Sequence, residues 1–296
     1  MQATDILLAL LTVTIWGFNF VVIKVGLGSF PPILFSVLRF TFAALPLAFF
    51  IKRPAIPWRM LIAYGLFQFA VQFSLLFYGM KLGFPAGLAS LVIQLQAFFT
   101  IGLAVVILGE RPRIAQLLGA FIALTGMVVV ATHINATATL IGFLLVVIAG
   151  LSWASANIVT KRMGKVNPLS LVVWGSLIAI PPLLLVSFLL EGTSNWAIAA
   201  NNVTWLSAGT ILFQAYPNTI LGFGIWAILM RKYPTATIAP FSLLVPVVGM
   251  LSAALVLGEP LEWWKIVAGV LVLTGLVLNQ FGGHAMRFLN LSKPDQ

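Results

Sequence analysis

The residues able to recognise a solute are one arginine and a scattered set of amides. Arg39 stands eight residues into an apolar run that begins at Pro32, and it is the only charge embedded in such a run. A guanidinium facing a wet cavity binds a carboxylate in bidentate fashion. The alternative is that Arg39 bonds carbonyls or amides of neighbouring helices and serves the bundle alone. Gln68 and Gln72 are four apart and share a helix face, as do Gln214 and Asn218. Asn19 lies three after Trp16 and Asn157 four after Trp153, so an aromatic and an amide recur together on one face. Gln94 and Gln96, only two apart, are expected to point in different directions, with at most one facing a central cavity. Each amide taken singly is also explained by hydrogen bonding between helices, worth about 0.6 kcal/mol in a membrane. Taken as a set, they favour a polar path lined by Trp16, Asn19, Arg39, Gln68, Gln72, Gln94, Gln96, Trp153, Asn157, Gln214 and Asn218. Pro217, Pro240 and Pro246 interrupt their helices and are candidate gating bends, although kinks without function are common.

Enzymatic chemistry has no such constellation. His133 and His284 lie outside the apolar runs, and no Asp or Glu lies deep within one, so neither a buried catalytic set nor a metal cluster has members. No cofactor and no metal are expected. Glu110 and Glu259 precede proline-containing helix starts (Glu110-Arg111-Pro112 and Glu259-Pro260), where a carboxylate favours a helix N-terminus, so capping is their expected role. Asn135-Ala-Thr137 and Asn202-Val-Thr204 match glycosylation sequons, a pattern frequent by chance.

The elements that hold these groups are membrane helices. The chain is 61% hydrophobic and 7% charged, far from a soluble composition. Its apolar runs have the length needed to cross about 30 Å of hydrocarbon, and they lack the alternation of a β-barrel. Ten spans are expected, near 6–26, 32–51, 61–80, 85–108, 114–132, 140–160, 168–190, 203–230, 235–257 and 263–281. The formal charge of +10 sits in the short connections, which points to membrane orientation rather than nucleic acid. With the N-terminus cytosolic, twelve Lys and Arg fall inside and Lys24, Lys81 and Lys265 outside, so both termini are expected in the cytosol. Trp58, Trp196, Trp205, Trp263 and Trp264 sit at run ends as interfacial anchors.

The sequence is also internally repeated. Pro85, Glu110 and Gly126 recur as Pro234, Glu259 and Gly275 at a constant offset of 149. Trp16, Lys24 and Pro31 recur as Trp153, Lys161 and Pro168 at an offset of 137. The difference of 12 falls naturally in the polar stretch 191–204. Five spans per copy is an odd number, so the copies enter the membrane from opposite sides, the inverted arrangement of secondary transporters with a midplane site. The division expected is a first repeat at 1–133, a second at 134–283 and a cytosolic tail at 284–296.

The run Trp16-Gly-Phe-Asn19-Phe-Val-Val-Ile-Lys24, both Leu-Gly-Glu turns and the ten-span repeat resemble the EamA branch of the drug/metabolite transporter superfamily. The runs GFPAGLASLVIQLQAFFTI and PFSLLVPVVG are similar to the bacterial subgroup that exports cysteine and O-acetylserine. The resemblance implies an exporter of small amino-acid metabolites in the bacterial inner membrane, working by alternating access around a cavity between the repeats, with spans five and ten peripheral. A related exporter of other amino acids or lipophilic drugs, a passive channel, and a scaffold without transport function remain alternatives. The partners expected are the lipid bilayer and a small amino-acid substrate, with a homodimer left open. No deep carboxylate is available as a proton carrier, which favours facilitated diffusion, exchange, or coupling by other means.

Overall fold

The computed structural model describes the backbone of residues 1–112, 114–133, 139–233 and 238–291, and their side chains apart from 230, 231, 239, 240 and 280–291. The described residues form helices joined by short connections, without strands. In order the helices are α1 (Ala3–Gly26), α2 (Pro32–Ala48), α3 (Trp58–Lys81), α4 (Ala86–Leu108), α5 (Ile114–Thr132), α6 (Leu140–Met163) and α7 (Pro168–Leu190). A short α8 (Gly192–Asn201) follows. Next comes α9, which starts at Trp205 and ends at Lys232. Then α10 starts as a 3₁₀ turn, Ala239–Leu243, and continues as Leu244–Leu257. Last is α11 (Trp263–Leu291), which carries the helix beyond the expected start of a tail at 284. Seven helices are long and apolar enough to cross a membrane; Pro32–Ala48, Phe241–Leu257 and Trp263–Asn279 are apolar but shorter. This is a multi-pass membrane protein. Its outer surface is apolar, with Phe49, Phe50, Val106 and Leu255 more than four-fifths exposed to what would be lipid.

The connections sort to two ends. At one, Lys161 pairs with Glu110 (3.0 Å), Arg162 donates to the Ile107 carbonyl (3.2 Å), and Ser170 donates to the Lys52 carbonyl (2.6 Å). We call this the basic end. Lys232 also lies there, where Asp5 accepts from its ammonium at 2.7 Å. That hydrogen bond holds the Lys232 pKa above the usual lysine value, so the lysine is charged at neutral pH and its contribution is lost as pH rises through the raised pKa. At the far end Lys81 donates to the Leu27 carbonyl (2.6 Å) and Lys24 to the Met80 carbonyl (3.4 Å). These lysines satisfy carbonyls left over at helix C-termini. Trp264 departs from its expected place as an interfacial anchor: it is buried, stacked on His133 with centroids 5.1 Å apart.

Helix pairs explain the core. Between α2 and α3 the aromatic rings of Phe30, Phe35, Phe77, Phe73, Phe40, Phe69 and Tyr64 form a continuous series, with adjacent centroids 5.1–5.7 Å apart. The small residues of α5 and α11 let those helices touch. A Cβ at Gly119 would lie 2.5 Å from the Gly275 carbonyl oxygen and 3.0 Å from the Asn279 nitrogen, both backbone atoms that cannot swing aside. Gly119→Val should therefore cost about 2 kcal/mol or more, read as a lower unfolding temperature of the detergent-solubilised protein.

The helices break from α-geometry at matching places. α3 contains a π segment, Leu66–Val71, and α9 another, Gln214–Leu221. Shifted by 149, the first falls on 215–220. α4 contains a 3₁₀ turn at Ile93–Leu95, which shifts to 242–244 and overlaps Ala239–Leu243 of α10. π segments inside helices are rare and concentrate at functional sites. Pro217 sits in the α9 π segment, whose wider turn relieves the clash a proline makes in an α-helix. Pro240 lies in the 3₁₀ turn and Pro246 in the first turn of the helix after it, so all three candidate bends fall on or beside an irregular segment.

The sequence difference of 12 residues coincides with α8. Its preceding residue, Glu191, is 8% exposed and accepts from the backbone N–H of Ile33 (2.7 Å) and Leu34 (2.9 Å), capping the start of α2. Ser187 and Trp196 extend this network, Trp196 donating to the Ser187 hydroxyl at 2.9 Å.

Candidate functional site

Three helices enclose a cavity of about 270 Å³. Its walls are Gln94, Gln96 and Ala97 of α4, Ser242 and Leu243 of α10, and Leu276 and Asn279 of α11. Both glutamines face it, which corrects the expectation that at most one would. The cause is the 3₁₀ turn. Residues two apart on an α-helix are separated by about 160°, but at three residues per turn the separation falls to about 120°, narrow enough for one cavity to reach both. The last span, α11, keeps the outlying place the resemblance implies, packing chiefly against α5, and it also supplies two of the cavity's walls. Behind Gln96, Asn157 donates to its Oε1 (2.9 Å) and to the Thr100 hydroxyl (3.1 Å), fixing that amide's orientation from α6.

The cavity is sealed on one side. Every residue of Ala86–Leu95 is buried, whereas in Gln96–Leu108 only Phe98 and Ala104 are. The far half of α4 is packed against α10, where a Cβ on Gly249 would collide with Ser90, and Ser90 donates to Gly87 O (2.6 Å). The cavity is therefore closed toward the far end.

The remaining candidates form separate groups. Arg39 is 1% exposed and does not line the cavity. Its Nε and Nη2 donate to the Thr219 hydroxyl (3.3 and 3.1 Å), which donates onward to the Gln214 carbonyl (2.8 Å). The guanidinium lies 4.0 Å from the Phe73 ring centroid and 5.1 Å from that of Phe40. Among the described residues its Nη1, both amide atoms of Gln214 and the Oδ1 of Asn19 are buried without a hydrogen-bond partner. Each such atom costs about 1–3 kcal/mol unless something reaches it. Trp16 donates to the Asn218 carbonyl (3.2 Å) and packs on Phe223 and Trp226, pinning α1 to α9. Gln68 donates to Gln72 at 3.1 Å, so that pair satisfies itself in part. Trp153 is half-buried in the core. Asn135–Thr137 lies outside the described residues.

Sequence reasoning passed over Thr219, Ser242 and Asn279. Thr219 follows directly on Asn218 and Pro217, a polar run inside a span, and that run was the available signal. Nothing in the sequence marked Asn279. Glu259 was expected to serve the helix that follows it; instead it accepts from Ala86 and Gly87 of α4, more than 170 residues earlier. Glu110 caps no helix among the described residues and pairs with Lys161.

The described residues thus form an all-helical, multi-pass membrane protein with a small amide-lined cavity between α4, α10 and α11. The model of the EamA-like transporter family matches residues 4–132 and again 140–281, and the chain belongs to that family. A protein of Salmonella typhimurium described as a probable amino-acid metabolite efflux pump is 44% identical over 298 residues, covering 99% of this chain and 100% of that one. One of the same description from Escherichia coli is 42% identical over 95% of this chain and 96% of its own length. A probable terminal-alkyne amino-acid exporter of Streptantibioticus cattleyicolor is 28% identical over 90% of each chain. A solved crystal structure superposes with a TM-score of 0.65 at 18% identity, covering 99% of this chain and 100% of that one, and shares the fold.

Proposed function

We propose that this chain exports small amino-acid metabolites, cysteine and O-acetylserine among them, by alternating access across the bacterial inner membrane. Two inverted repeats, 1–133 and 134–283, cross the membrane five times each, with the basic end and both termini in the cytosol. The doubled family match and the coincident π and 3₁₀ breaks support the repeats. The excess of Lys and Arg at one end supports the orientation. The observation that carries the reading is the cavity. It is polar, closed at the far end, and at about 270 Å³ suits a solute smaller than the drug-sized ligands that fill about 300–1,000 Å³. The names given to the Salmonella and Escherichia relatives agree with an amino-acid metabolite as cargo.

Gln94 and Gln96, the latter steadied by Asn157, meet the substrate as it enters from the cytosol. Arg39, Gln214 and Asn19 form a deeper polar locus whose unused donors and acceptors receive the carboxylate and ammonium once the helices bend at their irregular turns. Trp16 and Trp153 wall the path, Gln68, Gln72 and Asn218 line its α3 and α9 sides, and Pro217, Pro240 and Pro246 permit the bending. Among the described residues no Asp or Glu lines the cavity, so transport runs by facilitated diffusion, exchange or coupling by other means.

Uptake into inside-out proteoliposomes, competed by a panel of unlabelled solutes, tests the cargo. Cysteine and O-acetylserine should compete with each other, while lipophilic drugs and aromatic amino acids should not. Competition by drugs alone would assign the chain to a different cargo.

A further inference from the structure

The Leu-Gly-Glu turns that end α4 and α10 have the same backbone but different partners. Gly109 and Gly258 adopt left-handed conformations, φ 68° and 67°, which only glycine holds without strain. In both turns the glutamate N–H returns to an alanine carbonyl six residues earlier, at 3.2 Å: Glu110 to Ala104 and Glu259 to Ala253. The side chains then diverge. Glu110 is half-exposed and salt-bridged to Lys161. Glu259 crosses to α4, where its two oxygens accept from the N–H groups of Ala86 (2.7 Å) and Gly87 (3.0 Å). Lys265, in the next turn, is taken up by the Pro260 carbonyl (2.8 Å) and Glu262 (3.5 Å). The contact is therefore a carboxylate on two backbone donors rather than an ion pair.

The Leu-Gly-Glu triplets are identical, so they do not by themselves explain the divergence. The tertiary arrangement does. Glu259 lies at the end where α4 and α10 are packed together and the cavity is shut; Glu110 lies at the opposite end. We propose that Glu259 is a latch. Its carboxylate holds the far end of α4 against α10 and must release the Ala86 and Gly87 amides each time the cavity opens to that side. A charge-assisted contact of this kind is strong enough to bias a conformational equilibrium yet reversible on each cycle. Glu191 is the natural control. It makes a chemically similar bidentate contact on α2, but from α7 and away from the cavity walls.

This inference deepens the alternating-access reading, and it is tested without substrate. The chain has no cysteine, so Ser90→Cys supplies a single thiol in the sealed half of α4. The measurement is the rate at which a membrane-impermeant maleimide labels the full-length protein in proteoliposomes from the far side. Ser90→Cys alone should react slowly, adding Glu259→Gln should raise the rate about tenfold, and adding Glu191→Gln should leave it unchanged. Where Glu259→Gln does not yield folded protein, Glu259→Asp, which keeps the charge but shortens the reach, should give a smaller rise. Equal rates with and without the Glu259 substitution would overturn the latch, as would an equal rise with Glu191→Gln, which signals general loosening. A Gln96→Cys thiol labelled equally fast from both sides in an otherwise unaltered chain would instead overturn the carrier itself.

Discussion

Arg39→Met should reduce transport of labelled cysteine about a hundredfold while leaving the protein as stable as before, or more stable. The two effects separate because Arg39 has no carboxylate partner among the described residues; its contacts are the Thr219 hydroxyl and the faces of Phe40 and Phe73. Removing one member of a buried ion pair is damaging because it strands the other charge, whereas exchanging buried charge for a well-packed apolar side chain is often neutral or stabilising. Met fills much of the same volume between the two rings. Thr219 keeps its bond to the Gln214 carbonyl and orphans nothing. What disappears is a donor held ready for an anion, and charged hydrogen bonds are worth about 1.5–3 kcal/mol each, so losing two gives the hundredfold. Initial rates paired with thermal unfolding of the purified protein check both halves. Unfolding at a markedly lower temperature, with transport per folded molecule intact, would assign Arg39 to the bundle alone.

Gln94→Leu combined with Gln96→Leu should lower the transport rate by about thirtyfold to a hundredfold, mostly through KM. Each amide offers a hydrogen bond worth about 1–1.5 kcal/mol to a solute that has left water. Gln94→Leu alone should cost roughly the square root of that factor. Gln96→Leu alone should cost more, because it also removes one of the two acceptors of the Asn157 amide, leaving the Thr100 hydroxyl alone. Initial rates across a range of substrate concentrations separate KM from kcat. A double variant with unaltered KM would move the entry site elsewhere.

The helices and the repeat were legible because lipid imposes one simple demand, an unbroken apolar run, and because a constant offset survives sequence divergence. The helix irregularities were not. Nothing in Leu66–Val71 distinguishes a π segment from an ordinary helix, since its extra residue is accommodated by packing against distant helices. The consequence was specific: with regular geometry assumed, Gln94 and Gln96 had to diverge, and only the 3₁₀ turn brings both to one cavity. Arg39 was legible as a lone buried charge, but its partner Thr219 lies 180 residues away on another helix. Capping was the expected role for Glu259, because a carboxylate suits the positive end of a helix. Which helix it would cap was set by tertiary contact between α4 and α10. The polar stretch 191–204 was recognised as an insertion, yet its helix and the use of Glu191 on α2 depend on that same long-range packing.

Counterflow tests the central claim most directly. Proteoliposomes preloaded with unlabelled cysteine and diluted into a trace of labelled cysteine should accumulate label transiently above its equilibrium level, because a site exposed to one side at a time returns occupied more often than empty. Label that rises monotonically to equilibrium, at a rate indifferent to the preload, would contradict alternating access and leave a passive pore.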